Sequence, residues 1–312
     1  MAEDRKQSYR NWLVWAGGSV CLLLIGVICY ALFFVNELAE TAKEIHEPME
    51  RVFSEKREVP ITFKEKDPFS VLILGVDERE GDKGRSDTMI VLTVNPMLQS
   101  TKMVSIPRDT YSEIVGMGFE DKLNHAYAYG GIDMSLVTVE HFLDIPIDYV
   151  VQVNMESFKE IIDAIGGVSV TNTLDFSVDG HSFPEGELIL DGEEALVFVR
   201  MRMDDPRGDF GRQDRQKQVI QGVLQKGAKL SSLLKFKSIF DAIGNNVRTN
   251  MTFDEMVEVQ KNYRDAAKSV EQIKFEKGEG KRMEGIWYYM MDSEELEVVK
   301  AELKAHLEME LR

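Results

Sequence analysis

Residues 71 to 110 read VLILGVDERE GDKGRSDTMI VLTVNPMLQS TKMVSIPRDT, three short apolar runs that each meet a polar loop. Val71–Val76, Thr88–Val94 and Met103–Ile106 are rich in β-branched residues and bounded by turn chemistry, which predicts buried strands. At their edges stand Asp77 with Arg79, Arg85 with Asp87, and Arg108 with Asp109. One carboxylate just past a strand is ordinarily a turn cap. Three such clusters at strand ends, where α/β folds place their ligands, point to a site.

Working outward, helical patterns run between Asp121 and Gly131 and between Asp133 and Leu143. Tyr149–Val153 returns to strand, Phe158–Ile165 to helix with Gly166 and Gly167 as its stop, and Val168–Val170 to strand. Strands alternating with helices imply an α/β fold, a sheet sandwiched between helices. After Lys226 the chain reads as mostly helical, with a Thr252/Glu255 capping box, a hairpin around Gly278 to Gly280 and a charged final helix from Ser293.

A second informative stretch, Val199 to Gln218, reads VRMRMDDPRGDFGRQDRQKQ and packs Arg200, Arg202, Arg207, Arg212 and Arg215 into a chain of net charge -17. Guanidinium groups match phosphate oxygens bidentately, so the cluster favours shaped recognition of an anion. Asp204, Asp205, Asp209 and Asp214 interleave with it, as suits arginines held in fixed orientations. A helix starting near Gly211 sets Arg212, Gln216, Val219, Ile220 and Val223 on one stripe, leaving Arg215 off it. The structural alternative is an arginine–aspartate network on a surface helix.

The 312 residues suffice for one large domain or two small ones. The acidic balance and the lack of zinc-finger or helix-turn-helix patterns argue against nucleic acid as a partner. Trp12–Val35 is an apolar run long enough, at about 1.5 Å per residue, to cross a hydrocarbon layer of roughly 30 Å. Arg5, Lys6 and Arg10 precede it and Glu37, Glu40, Glu44 and Glu47 follow, so the positive-inside rule places the amino terminus in the cytoplasm. A cleaved signal peptide is the competing reading, disfavoured by the length of the run. Cys21 and Cys29, the two cysteines, lie inside this span, so the exported part has no disulfide or thiolate chemistry. The expected layout is a cytoplasmic tail over 1–11, a transmembrane helix over 12–35, a stalk and linker over 36–68 broken by Pro48, Pro60 and Pro68, and an extracellular catalytic domain over 69–312.

GVDER, GRSDT, SIPRDT, KLNHAYAYGG, DGEEALVFVRMR and GDFGRQDRQ, in that order, resemble the motif series of the LytR-CpsA-Psr family over roughly Phe69 to Gln225. The short tail, single anchor and exported domain resemble its layout too. The resemblance implies a central mixed β-sheet in a three-layer α-β-α fold, preceded by one transmembrane helix. It also implies a membrane-bound phosphotransferase of Gram-positive type envelopes, which moves an anionic glycopolymer such as wall teichoic acid from a polyprenyl pyrophosphate carrier to a muramic acid hydroxyl of peptidoglycan. On the same ground Asp77 and Asp87 map onto magnesium ligands, manganese being the other candidate ion. Arg85, Arg108, Arg200, Arg202, Arg212 and Gln216 map onto pyrophosphate contacts, with Asp209 orienting arginines or assisting the acceptor.

Pyrophosphate transfer needs positioning and charge stabilisation above all, which arginines and a cation supply. A carboxylate near the attacking hydroxyl assists, and Asp109 and Asp209 both qualify. Expected partners are the lipid-linked glycopolymer, peptidoglycan and membrane lipid. An apolar slot for the lipid is expected among the sixteen methionines with Phe142, Phe158, Phe198 and Trp287, for which core filling is the alternative. The five histidines show no metal-ligand spacing. Two other functions fit the same residues: a polyprenyl pyrophosphate hydrolase, and a non-enzymatic polyprenyl-phosphate-binding or envelope regulatory protein.

Overall fold

The sheet that positions the site is built from the runs quoted first. In a computed structural model, described for residues 45–49, 51, 53–77, 84–229 and 247–309, they become β1 (Phe69–Val76), β2 (Ser86–Asn95) and β3 (Ser100–Ser105). A small hairpin follows, β4 (Tyr111–Ile114) and β5 (Phe119–Lys122), then α1 (His125–Leu143), β6 (Tyr149–Val153) and α2 (Met155–Ala164). Next come β7 (Val168–Asn172), β8 (Phe176–Val178), β9 (His181–Phe183), β10 (Gly186–Leu190), α3 (Gly192–Arg200) and α4 (Asp209–Lys229). The last part holds β11 (Val247–Thr249), α5 (Phe253–Asn262), β12 (Val270–Ile273), β13 (Glu279–Met283), β14 (Ile286–Met290) and α6 (Ser293–His306).

Six strands form one mixed sheet in the order β11-β6-β1-β2-β3-β12. β1 pairs antiparallel with β2 and parallel with β6, and β3 pairs antiparallel with β2 and parallel with β12. Alternate side chains leave opposite faces of a strand. Leu72 and Leu74 therefore pack with Leu136, Val139 and Leu143 of α1 and Val299 and Leu303 of α6. Val71, Ile90, Leu92 and Met103 face the other way, toward Tyr149 and Tyr263, with Ile220 and Leu224 of α4 and Val259 of α5 partly buried against them. A third apolar cluster joins α2, α3, β7 and β8–β10 around Phe176, Phe183 and Phe198.

The predicted helices largely form. α2 carries a capping box at Asn154 and ends before Gly166 and Gly167, and the Thr252/Glu255 box caps α5. The two helical patterns around Asp133 are one kinked helix, non-helical at Gly130 and Gly131, and it begins at His125 because residues 119–122 pair in the β4–β5 hairpin. The expectation of a mostly helical end is corrected. After Lys226 the described residues contain four strands, β11 to β14. Short edge strands such as VEQI gain their state from pairing with a neighbour, which local periodicity does not report. The hairpin lies a few residues later than expected, turning at Glu284 and Gly285.

The described part of the segment expected as stalk and linker, from Ile45 on, packs onto the domain. Arg51 Nη1 donates to Glu140 Oε2 at 2.5 Å and its Nη2 to the Ile147 carbonyl, while Ser54 donates to Glu140. Arg57 grips Asp148 through two bonds of 2.7 Å. Phe63 enters an aromatic cluster with Phe69, Tyr149 and Tyr263, centroids 5.2 to 5.6 Å apart. The expected span Trp12–Val35, with Cys21 and Cys29, lies outside the described residues, as does Arg79. Among the described residues no helix is long and apolar enough to cross a membrane.

Candidate active site

The strand registers bring three of the polar clusters to one end of the sheet. Val76, followed at once by half-buried Asp77, pairs with Ser86, whereas Gly75 pairs with Thr88. Asp87 is thus the extra residue of a β-bulge, a device that re-aims a side chain at a sheet rim. β3 leaves the sheet at the same end, where the Ile106 amide donates to the Met89 carbonyl at 2.9 Å. The next turn delivers Arg108, whose Nη1 donates to Asp87 Oδ1 at 2.6 Å and whose Nε lies 3.7 Å from Asp109. Lys122 holds Asp109 at 2.7 Å. Sequence reasoning had passed over Lys122, although it opens the KLNHAYAYGG motif.

From the other side comes the first turn of α4. Asp209 lies 2.7 Å from Arg212 and accepts from Gln213 Nε2 at 3.0 Å. Burial works against the charge on Arg212 and lowers its pKa, opposed by Asp209 and Asp87 and reinforced by Arg108 and Arg202. Burial also disfavours the charge on Arg108, but Asp87, Asp109 and Asp209 outweigh it, and its pKa is raised. These mutual influences place Asp87, Arg108, Asp109, Arg202, Asp209 and Arg212 in one electrostatic unit. Within it the buried Nε atoms of Arg108 and Arg212 make no hydrogen bond. Buried donors are ordinarily paired, so two idle guanidinium donors beside an electropositive helix N-terminus suit a phosphate.

The remaining expected residues lie around this unit. Exposed Arg85 stands just before β2, close enough to Tyr129 to influence its hydroxyl. Arg200 is exposed at the end of α3, and Gln216 is half-buried one turn after Arg212. Arg202 lines an open cleft of about 420 Å³ with Pro107, Asp109, Asp209, Phe210, Trp287 and Tyr289. Two of those aromatic residues come from β14, which the Tyr289 amide ties to the Asp109 carbonyl at 2.8 Å. No signal local to the hairpin announced that placement.

Arg215 is structural. It is 4 % exposed, its Nη1 donates to buried Asp205 at 2.6 Å, and its other donors reach the Phe198 and Met201 carbonyls. The Asp205 carboxylate lies so close to Gly211 that a Cβ there would collide with it. Exposed Arg207 pairs with Asp214 at 2.6 Å. Asp214 also meets Lys217 and Lys274, and although burial disfavours its charge these cations hold its pKa down to about 2. Phe142 and Phe198 are core residues and Phe158 packs against the third cluster, so only Trp287 of that expected quartet lines the cleft.

The chain matches the LytR_cpsA_psr family over residues 32–305. It is 50 % identical over 308 residues to the polyisoprenyl-teichoic acid--peptidoglycan teichoic acid transferase TagU of Bacillus subtilis strain 168, covering 99 % of this chain and 100 % of the relative. The crystal structure of B. subtilis TagU superposes with a TM-score of 0.64 at 51 % identity, covering 79 % of this chain and 100 % of that one. A structure of the LytR-CPS2A-psr family protein YwtF (TagT) with bound octaprenyl pyrophosphate lipid gives a TM-score of 0.68 at 32 % identity, covering 85 % and 100 %. With its strand-end motifs folded into one arginine–aspartate site, the chain belongs to the LytR-CpsA-Psr family.

Proposed function

We propose that this chain is a membrane-anchored phosphotransferase that moves an anionic glycopolymer of the wall teichoic acid type from a polyprenyl pyrophosphate carrier to a muramic acid hydroxyl of peptidoglycan. The observation that carries the reading is the convergence of Arg108, Arg202 and Arg212 with two buried Nε donors that make no hydrogen bond. Relatives named as teichoic acid transferases, and a relative solved with octaprenyl pyrophosphate, support it.

The acceptor hydroxyl oxygen forms a bond to the phosphorus attached to the glycopolymer. The bond from that phosphorus to the bridging oxygen breaks, and polyprenyl phosphate leaves with the electron pair. The hydroxyl proton passes to Asp109 or Asp209, both of which line the cleft. Arg108 and Arg212 stabilise charge growing on the phosphoryl oxygens, held in place beforehand by Asp87 and Asp209. Arg85, Arg200, Arg202 and Gln216 extend the cationic and amide lining around the diphosphate.

Among the described residues no three metal-ligating side chains are gathered. The strand register sets Asp77 and Asp87 at the same end of the sheet, and in this reading their carboxylates would hold magnesium, or manganese, with water and phosphate oxygens filling the rest of its shell. Such an ion would neutralise negative charge on the diphosphate. For the lipid tail the fitting surface is the sheet face where Ile73, Val151, Ile220, Leu224 and Val259 are only partly buried. Trp12–Val35 is the proposed single membrane span, with a cytoplasmic amino terminus and the enzyme domain outside a Gram-positive type envelope membrane.

The full chain, mixed with a short polyprenyl-pyrophosphate glycan, peptidoglycan fragments and magnesium, should yield a phosphodiester conjugate, and chelation should lower its yield. Release of free phosphorylated glycan without conjugate would assign a hydrolase instead. Donor binding without turnover under all metal conditions would assign a carrier or regulatory role. An unchanged yield from Arg108→Ala would refute the site.

A further inference from the structure

The cleft beside the arginines has a composition that diphosphate binding does not explain. Its lining is in part aromatic, with Trp287 43 % and Phe210 41 % exposed. Apolar side chains exposed singly are ordinary, but two large aromatic rings exposed in one cleft form a patch of the kind that marks a binding surface. Each is also held in place. Phe210 meets the Tyr289 ring edge-on at 5.7 Å. Trp287 lies across Gly280 of the partner strand, where a Cβ would come within 2.7 Å of its Nε1. The glycine thus gives the indole a flat bed. Asp109, Asp209, Gln213 and Arg202 add polar and charged groups to the same lining.

We infer that this cleft is the subsite for one sugar ring of the acceptor glycan, stacked on Trp287 and Phe210 with its hydroxyl edge toward Asp109 and Asp209; the inference rests on the transferase reading above. A pyranose has a face of polarised C–H bonds and an edge of hydroxyls. The face meets the negative π surface of an aromatic ring, and the edge meets carboxylate and amide. A lipid tail needs a wall of apolar side chains, and Asp109, Arg202, Asp205 and Asp209 interrupt this lining with charge. Between the two sugars of the reaction, the acceptor is favoured because it is its hydroxyl that must give up a proton, and the two carboxylates lie here. The hairpin β13–β14 is therefore a recognition element tied to the catalytic turn through the Tyr289–Asp109 backbone bond.

The test uses the full chain in detergent with a muramic-acid-containing disaccharide fragment as probe. Saturation-transfer NMR should show the sugar C–H protons in contact with the protein, and Trp287→Ala should abolish the signal. In the transfer assay Trp287→Ala should raise the KM for the fragment about tenfold or more, the loss of one stacking contact of about 1.4 kcal/mol, with the donor KM unchanged. Trp287→Phe, which keeps an aromatic face, should restore most of it. Gly280→Val, which displaces the indole and leaves Asp109, Asp209, Gln213 and Arg202 in place, should reproduce the Trp287→Ala effect. A raised donor KM with an unchanged acceptor KM would give the cleft to the donor sugar and overturn the inference, as would fragment binding indifferent to Trp287. If the fragment binds through Trp287 while no conjugate ever forms, the subsite stands and the transferase reading fails.

Discussion

Arg212 and Arg215 stand three residues apart on α4 and have unlike tasks. Arg215 pairs with Asp205 where both are almost wholly buried, its guanidinium 5.5 Å from the Phe176 ring. Arg215→Ala would strip buried Asp205 of its closest cation, leaving it the Arg207 amide at 2.8 Å and the Arg207 Nε at 3.9 Å, so chemical denaturation should show a loss of about 3 kcal/mol. Arg212 instead keeps an unpaired Nε and shares its field with Arg108 and Arg202. Arg212→Ala should lower the transfer rate by about a hundredfold or more, with a melting temperature close to that of the parent. The stripe drawn from the sequence ranked these two in this order, because helical spacing separates Arg212 from Arg215 whatever surrounds them. The burial of Arg215 among Phe198, Met201 and Asp205 depends on how α3 docks on α4, which spacing does not encode.

At the scale of elements, chain entry and helix starts carry the testable weight. Glu140 of α1 accepts from Arg51 and Ser54 and from the Ile147 amide, and is 5 % exposed. Glu140→Ala would strand Arg51, and an expected loss of about 3 kcal/mol should be accompanied by faster proteolysis near Arg57. α3 begins with a reciprocal box in which Asp191 accepts from the Glu194 amide at 2.9 Å and Glu194 accepts from the Asp191 amide at 3.1 Å. Asp191→Ala should cost about 1 kcal/mol, read as a lower melting temperature. Strands β1, β2, β3 and β6 were legible because apolar β-branched runs bounded by turns have few other folded fates. β11 and β12 were not, since a short edge strand is defined by its partner, and of β13 and β14 the sequence showed a hairpin set a few residues too early.

Over the whole molecule, His306 ties the final helix to the sheet, its ring hydrogen-bonded to Thr93 at 2.8 Å and Ser100 at 2.9 Å. Burial, with help from Lys102, lowers its pKa from the ordinary 6.5 to about 4. Between those values the unfolded chain binds the proton and the folded one does not, so stability falls as pH drops from about 6.5 toward 4, by up to about 3 kcal/mol. Urea midpoints across that range should fall for the parent and stay flatter for His306→Gln. Below about pH 4 the lowered carboxylates of Asp144 and Asp214 add a further loss as they protonate toward their values near 2. By itself the sequence determined the strand runs, the capped helices and the identity of the arginines and aspartates, since these follow from backbone geometry, side-chain period and chemical type over a few neighbouring residues. Only the tertiary structure decided that Asp87, Arg108, Asp109, Asp209 and Arg212 meet, that Arg215 turns inward and that a distant hairpin lays Trp287 beside them. Those outcomes depend on sheet register and on the docking of elements far apart along the chain, where the energy is shared among many contacts rather than written in any one segment.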